Sequence, residues 1–339
     1  MHIPDIRLHE PRTIAEACEL LNRYCDISKV LAGGTDLLVD LKQGRITGIE
    51  HLVSLRNIDG LESVEETGEA IRVGALVTLN QASGNETIRK FFPAMIDTIG
   101  SMAAYTIRNV ATVVGNIAGA VPSSDLAPFF VVAGGEAELS NGESQRRMKV
   151  EDYILGPRET ACGEYEILTH LLIPKPPPRT GISYQKFMLR EANALAVAGV
   201  AARLTLAGSI GGGGGAGGGR DVGGVGGTGG TGGDGGTGDK RGTGGDRSTR
   251  GTGDGEGGIM DSCIAMTAVA PRPVIAREAC AFLEGKEPSK EVFREAAAIA
   301  RESARPITDI RGTKEYRFDL IEVLTERTLE EALSRARGE

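Results

Sequence analysis

The sequence predicts an α+β protein in three parts. A small α/β layer comes first, a mixed or antiparallel α+β part follows, and the chain closes with an antiparallel sheet covered on one side by helices. Three observations carry this expectation. Helical and strand-like spacings alternate at the start, short strand runs separated by Asp59-Gly60 and Gly68 fill the middle, and three strand runs followed by three helical runs make up the last third. The expected boundaries are 1–55, 56–178 and 179–339.

Residues 13–24 (TIAEACELLNRY) place Ile14, Ala17, Cys18 and Leu21 at helical spacing behind Thr13 as N-cap, so a helix should precede a strand at 28–32. That strand breaks into Ala32-Gly33-Gly34-Thr35-Asp36 and resumes as a helix at Leu37-Leu38-Val39. HLVSL, LESVEE and AIRVGALVTL then read as short strands, and 87–102 as a helix. The stretch 105–140 mixes apolar pairs with Gly, Asn, Pro and Asp, so it must bend repeatedly while staying largely buried. EAELS and EILTHLLIP add strands, and the stiff IPKPPPRTG marks a boundary.

Beyond it ISYQKFMLR, AVAGVAARLTLAG and DSCIAMTAVAP read as strands, and 274–284, 289–303 and 316–335 as helices. Ser289 supplies an N-cap, but Val292 stands where a capping box needs Glu or Gln. Between two of these strands lies an insertion: 27 of the 50 residues from 209 to 258 are glycine, against 22 of the other 289. Its Gly-Gly-x rhythm fits a flexible exposed loop, or extended left-handed helices packed side by side.

A chain of 339 residues can bury two or three cores without metal or disulfide staples. Its net charge of -8 offers no basic field for nucleic acid or an anionic membrane, and no apolar run approaches the roughly 20 residues of a membrane span. The opening MHIPDIRLHE has no signal-peptide pattern, so a cytoplasmic, reduced location is expected. Cys18, Cys25, Cys162, Cys263 and Cys280 show no metal-site spacing and read as small buried residues. His51 and His170, beside strand-like runs, read as packed side chains.

Two turns carry the chemistry. In Ala32-Gly33-Gly34-Thr35-Asp36 the missing side chains let a ligand approach main-chain N–H groups, a phosphate site or simply a tight turn. In Thr112-Val113-Val114-Gly115-Asn116, followed by Ser123-Ser124-Asp125, Asn and Ser can donate to a pyrophosphate and Asp125 can accept from a ribose hydroxyl; a turn with a helix cap is the alternative.

LAGGTDLL, IRNVATVVGNIAGAVPSSDLAP and the late RPITDIRGTKEYR, in this order, resemble the FAD-binding medium subunits of the molybdenum hydroxylases, the xanthine dehydrogenase and carbon monoxide dehydrogenase type. The resemblance covers the chain outside 209–258. It implies a two-part FAD-binding region, a small α/β subdomain plus a mixed/antiparallel α+β subdomain, ahead of the C-terminal domain. Main-chain N–H groups of Ala32, Gly33, Gly34, Thr35, Asp36 and Leu37 would wrap the FAD pyrophosphate. Thr112, Gly115, Asn116, Ser124 and Asp125 would add diphosphate and ribose contacts.

By the same resemblance Ile167 and Leu168 match the apolar wall of the flavin site, and Tyr184 and Lys186 the aromatic and lysine near the isoalloxazine; sheet packing and surface charge are their plainer readings. The family usually has two glycines before the Asn, and Val114 stands at the first, which would strain a backbone of positive φ. Asp309, Arg311 and Arg317 read as a structural ion-pair turn. The implied function is electron transfer. A large molybdopterin-type subunit carrying molybdenum or tungsten would oxidise the substrate, and a small 2Fe-2S iron–sulfur subunit would pass electrons to FAD and on to an acceptor such as NAD. A non-catalytic assembly subunit that has lost FAD and a stand-alone flavin oxidase are the alternatives.

Overall fold

In the computed structural model, which describes residues 5–190, 194–208 and 257–339, the front of the chain forms a three-stranded parallel sheet. β1 (Arg7–His9), α1 (Ile14–Tyr24), β2 (Ser28–Leu31), α2 (Leu37–Lys42) and β3 (His51–Ser54) follow in order, with β3 between the other two strands. Thr13 starts α1 by accepting from the Glu16 N–H, while the Glu16 carboxylate accepts from the Arg12 N–H. The helix then buries its Ala17, Cys18 and Leu21 stripe.

The middle part comprises β4 (Val64–Thr67), β5 (Ala70–Gly74), α3 (Leu79–Gly84), α4 (Glu86–Phe91), α5 (Pro93–Gly100), α6 (Tyr105–Arg108), α7 (Val113–Ala118), α8 (Leu126–Val132), β6 (Glu136–Ser140), β7 (Gln145–Lys149), α9 (Val150–Tyr153), β8 (Ile154–Gly156), β9 (Glu159–Thr160) and β10 (Ile167–Pro174). Its sheet runs β4-β5-β10-β6-β7, antiparallel throughout, and β8 with β9 makes a separate hairpin. The helix expected over 87–102 is two helices. Pro93 disfavours helical backbone at Phe92, which lies at φ -136° and ψ 59°, and then opens α5 as its first residue. The stretch 105–140 does bend, through α6, α7 and α8 into β6. All seven residues of α8 are buried, with Phe129 edge-on to both Phe92 and Phe130.

The last part contains β11 (Thr180–Phe187), β12 (Ala198–Leu206), β13 (Ile259–Thr267), β14 (Val274–Ile275), α10 (Arg277–Leu283), α11 (Lys290–Ser303) and α12 (Lys314–Arg337), the four strands antiparallel in sequence order. The Ser289 hydroxyl accepts from Val292 N–H, and the reciprocal half of a capping box is missing as Val292 dictates. β12 and β13 pair directly, so the Gly-rich insertion enters where a hairpin turn would lie; its residues 209–256 fall outside the described residues, and both readings of it with them. The sheet is covered on both faces rather than one. α10, α11 and α12 pack on one face, while α5 and α8 press on the other and join Ile182, Tyr184, Ala201 and Ala265 to the core of the preceding parts.

Asp309 forms a fork with Arg311 (2.9 Å) and buried Arg317 (2.6 Å), and Arg317 also donates to the carbonyls of Val197 and Ala268, tying the turn before α12 to the sheet. Burial works to raise the Asp309 pKa, but hydrogen bonds from the Arg311 N–H and from both guanidinium groups outweigh it and hold the carboxyl at about 2. His51 stacks under Tyr24 and bonds His9, and buried His170 lies between Arg72 and Glu138. Cys18 and Cys280 are buried, Cys162 and Cys263 half-buried, and Cys25 is exposed, against the expectation of five buried thiols. Among the described residues no helix is long and apolar enough to cross a membrane.

Candidate functional site

β2 ends at Leu31 and α2 begins at Leu37, so the five residues between them must supply a sharp turn. Gly34 makes it at φ +70°, a conformation that side chains resist. Gly33 is needed for a different reason: a Cβ there would sit 2.0 Å from the Val110 carbonyl oxygen, so the turn packs directly on the backbone leading into α7. Among the described residues, the N–H groups of Ala32, Gly33, Gly34, Thr35, Asp36 and Leu37 donate to no protein acceptor, and the Thr35 hydroxyl has no partner either. The turn is an array of free donors.

The second motif begins with Thr112, whose hydroxyl accepts from Gly115 N–H at 3.0 Å and caps α7. A Cβ on Gly115 would meet that hydroxyl at 2.6 Å. Val114 lies within the first turn of α7 with ordinary helical backbone and is buried, so the strain foreseen for a β-branched residue there does not arise. Asn116 Oδ1 accepts from the Ser124 hydroxyl at 2.6 Å, which leaves its Nδ2 free to donate. Ser124 Oγ in turn accepts from Ala127 N–H at the start of α8, so the helix-cap reading and the ligand reading of this residue coexist.

Both motifs open on one cavity of about 640 Å³, which Ile167 and Leu168 at the start of β10 line together with Leu31, Leu55, Leu79, Met102 and Ile107. Thirteen of the fifteen residues expected at the site line it. The two exceptions are Tyr184 and Lys186, which are buried behind the wall and reach it only through Asp125. The Tyr184 hydroxyl donates to Asp125 Oδ1 at 2.6 Å and Lys186 Nζ to Oδ2 at 2.8 Å. They stand behind Asp125 rather than on the cavity lining itself. Burial and then the Asp125 carboxylate push the Tyr184 pKa well above its usual value, so the phenol stays a donor.

Asp40, Arg158, Tyr153, Cys162 and Glu166 also line the cavity, and all but Asp40 carried no sequence signal for it. Buried Asp40 pairs with Arg45 (3.0 Å) and Arg158 (2.7 Å), and Glu166 with Arg146 (2.6 Å). A polar residue facing inward on the apolar LLVDLK pattern was the one available hint of Asp40. With Asp40, Asp125 and Glu166 each held by a cation, their charge repels an anionic ligand weakly, and the free N–H groups, Asn116 Nδ2 and the Thr35 hydroxyl form a donor set of the kind a diphosphate needs. The apolar remainder of the lining fits a flat aromatic ring system.

The fold and this donor-rich, apolar-walled cavity fit a protein that binds a dinucleotide. The chain belongs to a known family: the model described as the FAD binding domain in molybdopterin dehydrogenase matches residues 4–176, just over half of it, and that of the CO dehydrogenase flavoprotein C-terminal domain matches residues 250–332. It is 29% identical to the carbon monoxide dehydrogenase medium chain of Afipia carboxidovorans, over 97% of each chain, and 27% identical to the nicotine 6-hydroxylase medium subunit of Paenarthrobacter nicotinovorans, over 99% of this chain and 100% of the other. A chain in the crystal structure of cyanide-inactivated Cu,Mo-CO dehydrogenase superposes with a TM-score of 0.81 at 28% identity, covering 99% of this chain and 100% of that one. The protein is thus an FAD-binding medium subunit of the molybdenum hydroxylase type, a component of an oxidoreductase.

Proposed function

We propose that this chain is the electron-transfer subunit of a multi-subunit molybdenum or tungsten hydroxylase or dehydrogenase. A large molybdopterin-type subunit oxidises the substrate, and a small 2Fe-2S iron–sulfur subunit relays the electrons. FAD, when bound, supplies the redox chemistry that links those clusters to an external acceptor such as NAD. The observation that carries this reading is the set of six N–H groups from Ala32 to Leu37, without a protein acceptor among the described residues, in residues that line the same cavity as Asn116.

In this reading the N–H groups of Ala32, Gly33, Gly34, Thr35, Asp36 and Leu37 bind the diphosphate, with Asn116 Nδ2 and Ser124 alongside. Thr112 and Gly115 shape the turn that presents Asn116. Asp125, fixed by Tyr184 and Lys186, accepts from a ribose hydroxyl through its remaining lone pairs. Ile167 and Leu168 exclude water from one side of the ring. The names of the relatives, medium chain and medium subunit, support the presence of larger and smaller partners, and a cytoplasmic location fits the same reading.

Anaerobic mixing of the FAD-loaded chain with a dithionite-reduced 2Fe-2S partner subunit should bleach the flavin absorption. Failure to bleach, or reduction of the flavin by an organic substrate in the isolated chain, would contradict the proposal.

A further inference from the structure

α2, into which the Gly-Gly turn leads, rests on a small core of its own, where Leu41 packs with Ile49 and Leu52 apart from the larger cores. The turn touches the middle part where Gly33 meets the Val110 carbonyl. Farther along the helix the Asp40 side chain is 3% exposed, and its two oxygens take different cations. Oδ1 binds Arg45, just beyond α2, at 3.0 Å, and Oδ2 binds Arg158, between β8 and β9 of the middle part, at 2.7 Å. Among the described residues no other hydrogen bond or ion pair joins residues 32–43 to the middle part.

Arg158 also reaches the other motif. Its N–H donates at 2.9 Å to the carbonyl of Ala120, just past the end of α7, the helix that carries Asn116. Both residues hold left-handed backbone, Ala120 at φ +42° and Arg158 at φ +62°, a conformation that side chains resist and that persists where the surrounding structure fixes it. One residue thus ties the helix of the first motif, through its guanidinium, to the end of the second, through its main chain.

We propose that Arg158 is a positioning residue that sets the spacing between the two donor sets and so governs how long FAD stays bound, an inference that rests on the diphosphate placement proposed above. The diphosphate must meet the N–H groups of residues 32–37 and Asn116 Nδ2 at once, and a hydrogen bond weakens steeply as its distance and angle drift. Only Asp40 and Leu41 of α2 are buried, so packing alone holds the helix weakly. Without Arg158 the first motif stands on the Gly33 contact, and the loss falls on dissociation.

The rate at which FAD leaves the loaded full-length chain, followed by the fluorescence of the released flavin, tests this beside urea unfolding of the FAD-free chain. Arg158→Met should speed release roughly tenfold, and Arg158→Lys should recover most of the retention. Arg45→Met takes a cation from the same carboxylate without uncoupling the two parts, so release should stay within about twofold of the parent even where stability falls as much. Asp40→Asn should speed release as Arg158→Met does, and the double variant no further. Equal acceleration in Arg45→Met and Arg158→Met, in step with lost stability, would make the pair merely structural and overturn the proposal. So would unchanged release in Arg158→Met, or slower release in Asp40→Asn, which would show Arg158 binding FAD itself. An Asn116→Asp variant that holds FAD as tightly as the parent would instead remove the diphosphate placement on which the proposal rests.

Discussion

The Tyr184 hydroxyl donates to Asp125 Oδ1 at 2.6 Å while Lys186, two residues along β11, holds Oδ2 at 2.8 Å. Residues 59 and 61 positions away in sequence thus fix a carboxylate in the cavity wall. Tyr184→Phe removes one hydrogen bond and should cost about 1–3 kcal/mol of stability. Lys186→Met leaves a buried carboxylate without its cation and should cost more, about 3–5 kcal/mol. Urea unfolding of both variants checks the order, and a Lys186 variant as stable as the parent would show that the ion pair does not hold Asp125.

Asn116 Oδ1 accepts from Ser124, and its Nδ2 has no partner among the described residues; the proposed function gives that amide to the diphosphate. Asn116→Asp retains the bond to Ser124 but sets a negative charge where a donor stood. FAD affinity should fall roughly ten- to a hundredfold, a loss of about 1.5–3 kcal/mol. Fluorescence titration of the apoprotein with FAD measures it, and unchanged affinity would move the diphosphate away from this amide.

Val114 occupies a position where the family usually has glycine, yet its side chain is buried in the core and its backbone is helical. Val114→Gly should therefore destabilise the protein by about 2–3 kcal/mol through lost burial and helix propensity, without tightening FAD binding. Thermal unfolding and FAD titration in parallel decide this; a gain in affinity would mean that the turn is constrained by the valine after all.

Asp309 titrates at about 2 in the folded chain against 3.8 ordinarily. A depressed carboxyl pKa stabilises the fold above about pH 4, and that contribution disappears as pH falls toward 2. With partial exposure allowed for, it amounts to about 1–2 kcal/mol. Asp309→Asn should flatten the fall in unfolding free energy over this pH interval by about one proton. An unchanged acid limb would place the titrating group elsewhere.

The Gly-Gly turn, the order of the motifs and most strands were legible because each is a local pattern: glycine where backbone must turn or approach, alternation where a strand is half buried. β7 (QRRMK) was not, because an edge strand with exposed basic side chains shows no apolar alternation. Nor were Asp40–Arg158 and Asp125–Lys186, since ion pairs across long loops leave no spacing to read. Gly33 shows a subtler limit. The sequence presents it as room for a ligand, but its first contact is the Val110 carbonyl, so replacing Gly33 and Gly34 together by valine would disrupt the protein's own packing and could not isolate an effect on flavin binding.

The visible absorption spectrum of the purified chain, with identification of the flavin released on denaturation, tests the central claim most directly. The account predicts about one FAD per chain, held at the cavity between the two motifs and depleted in Asn116→Asp. A colourless chain that also fails to take up added FAD would contradict it.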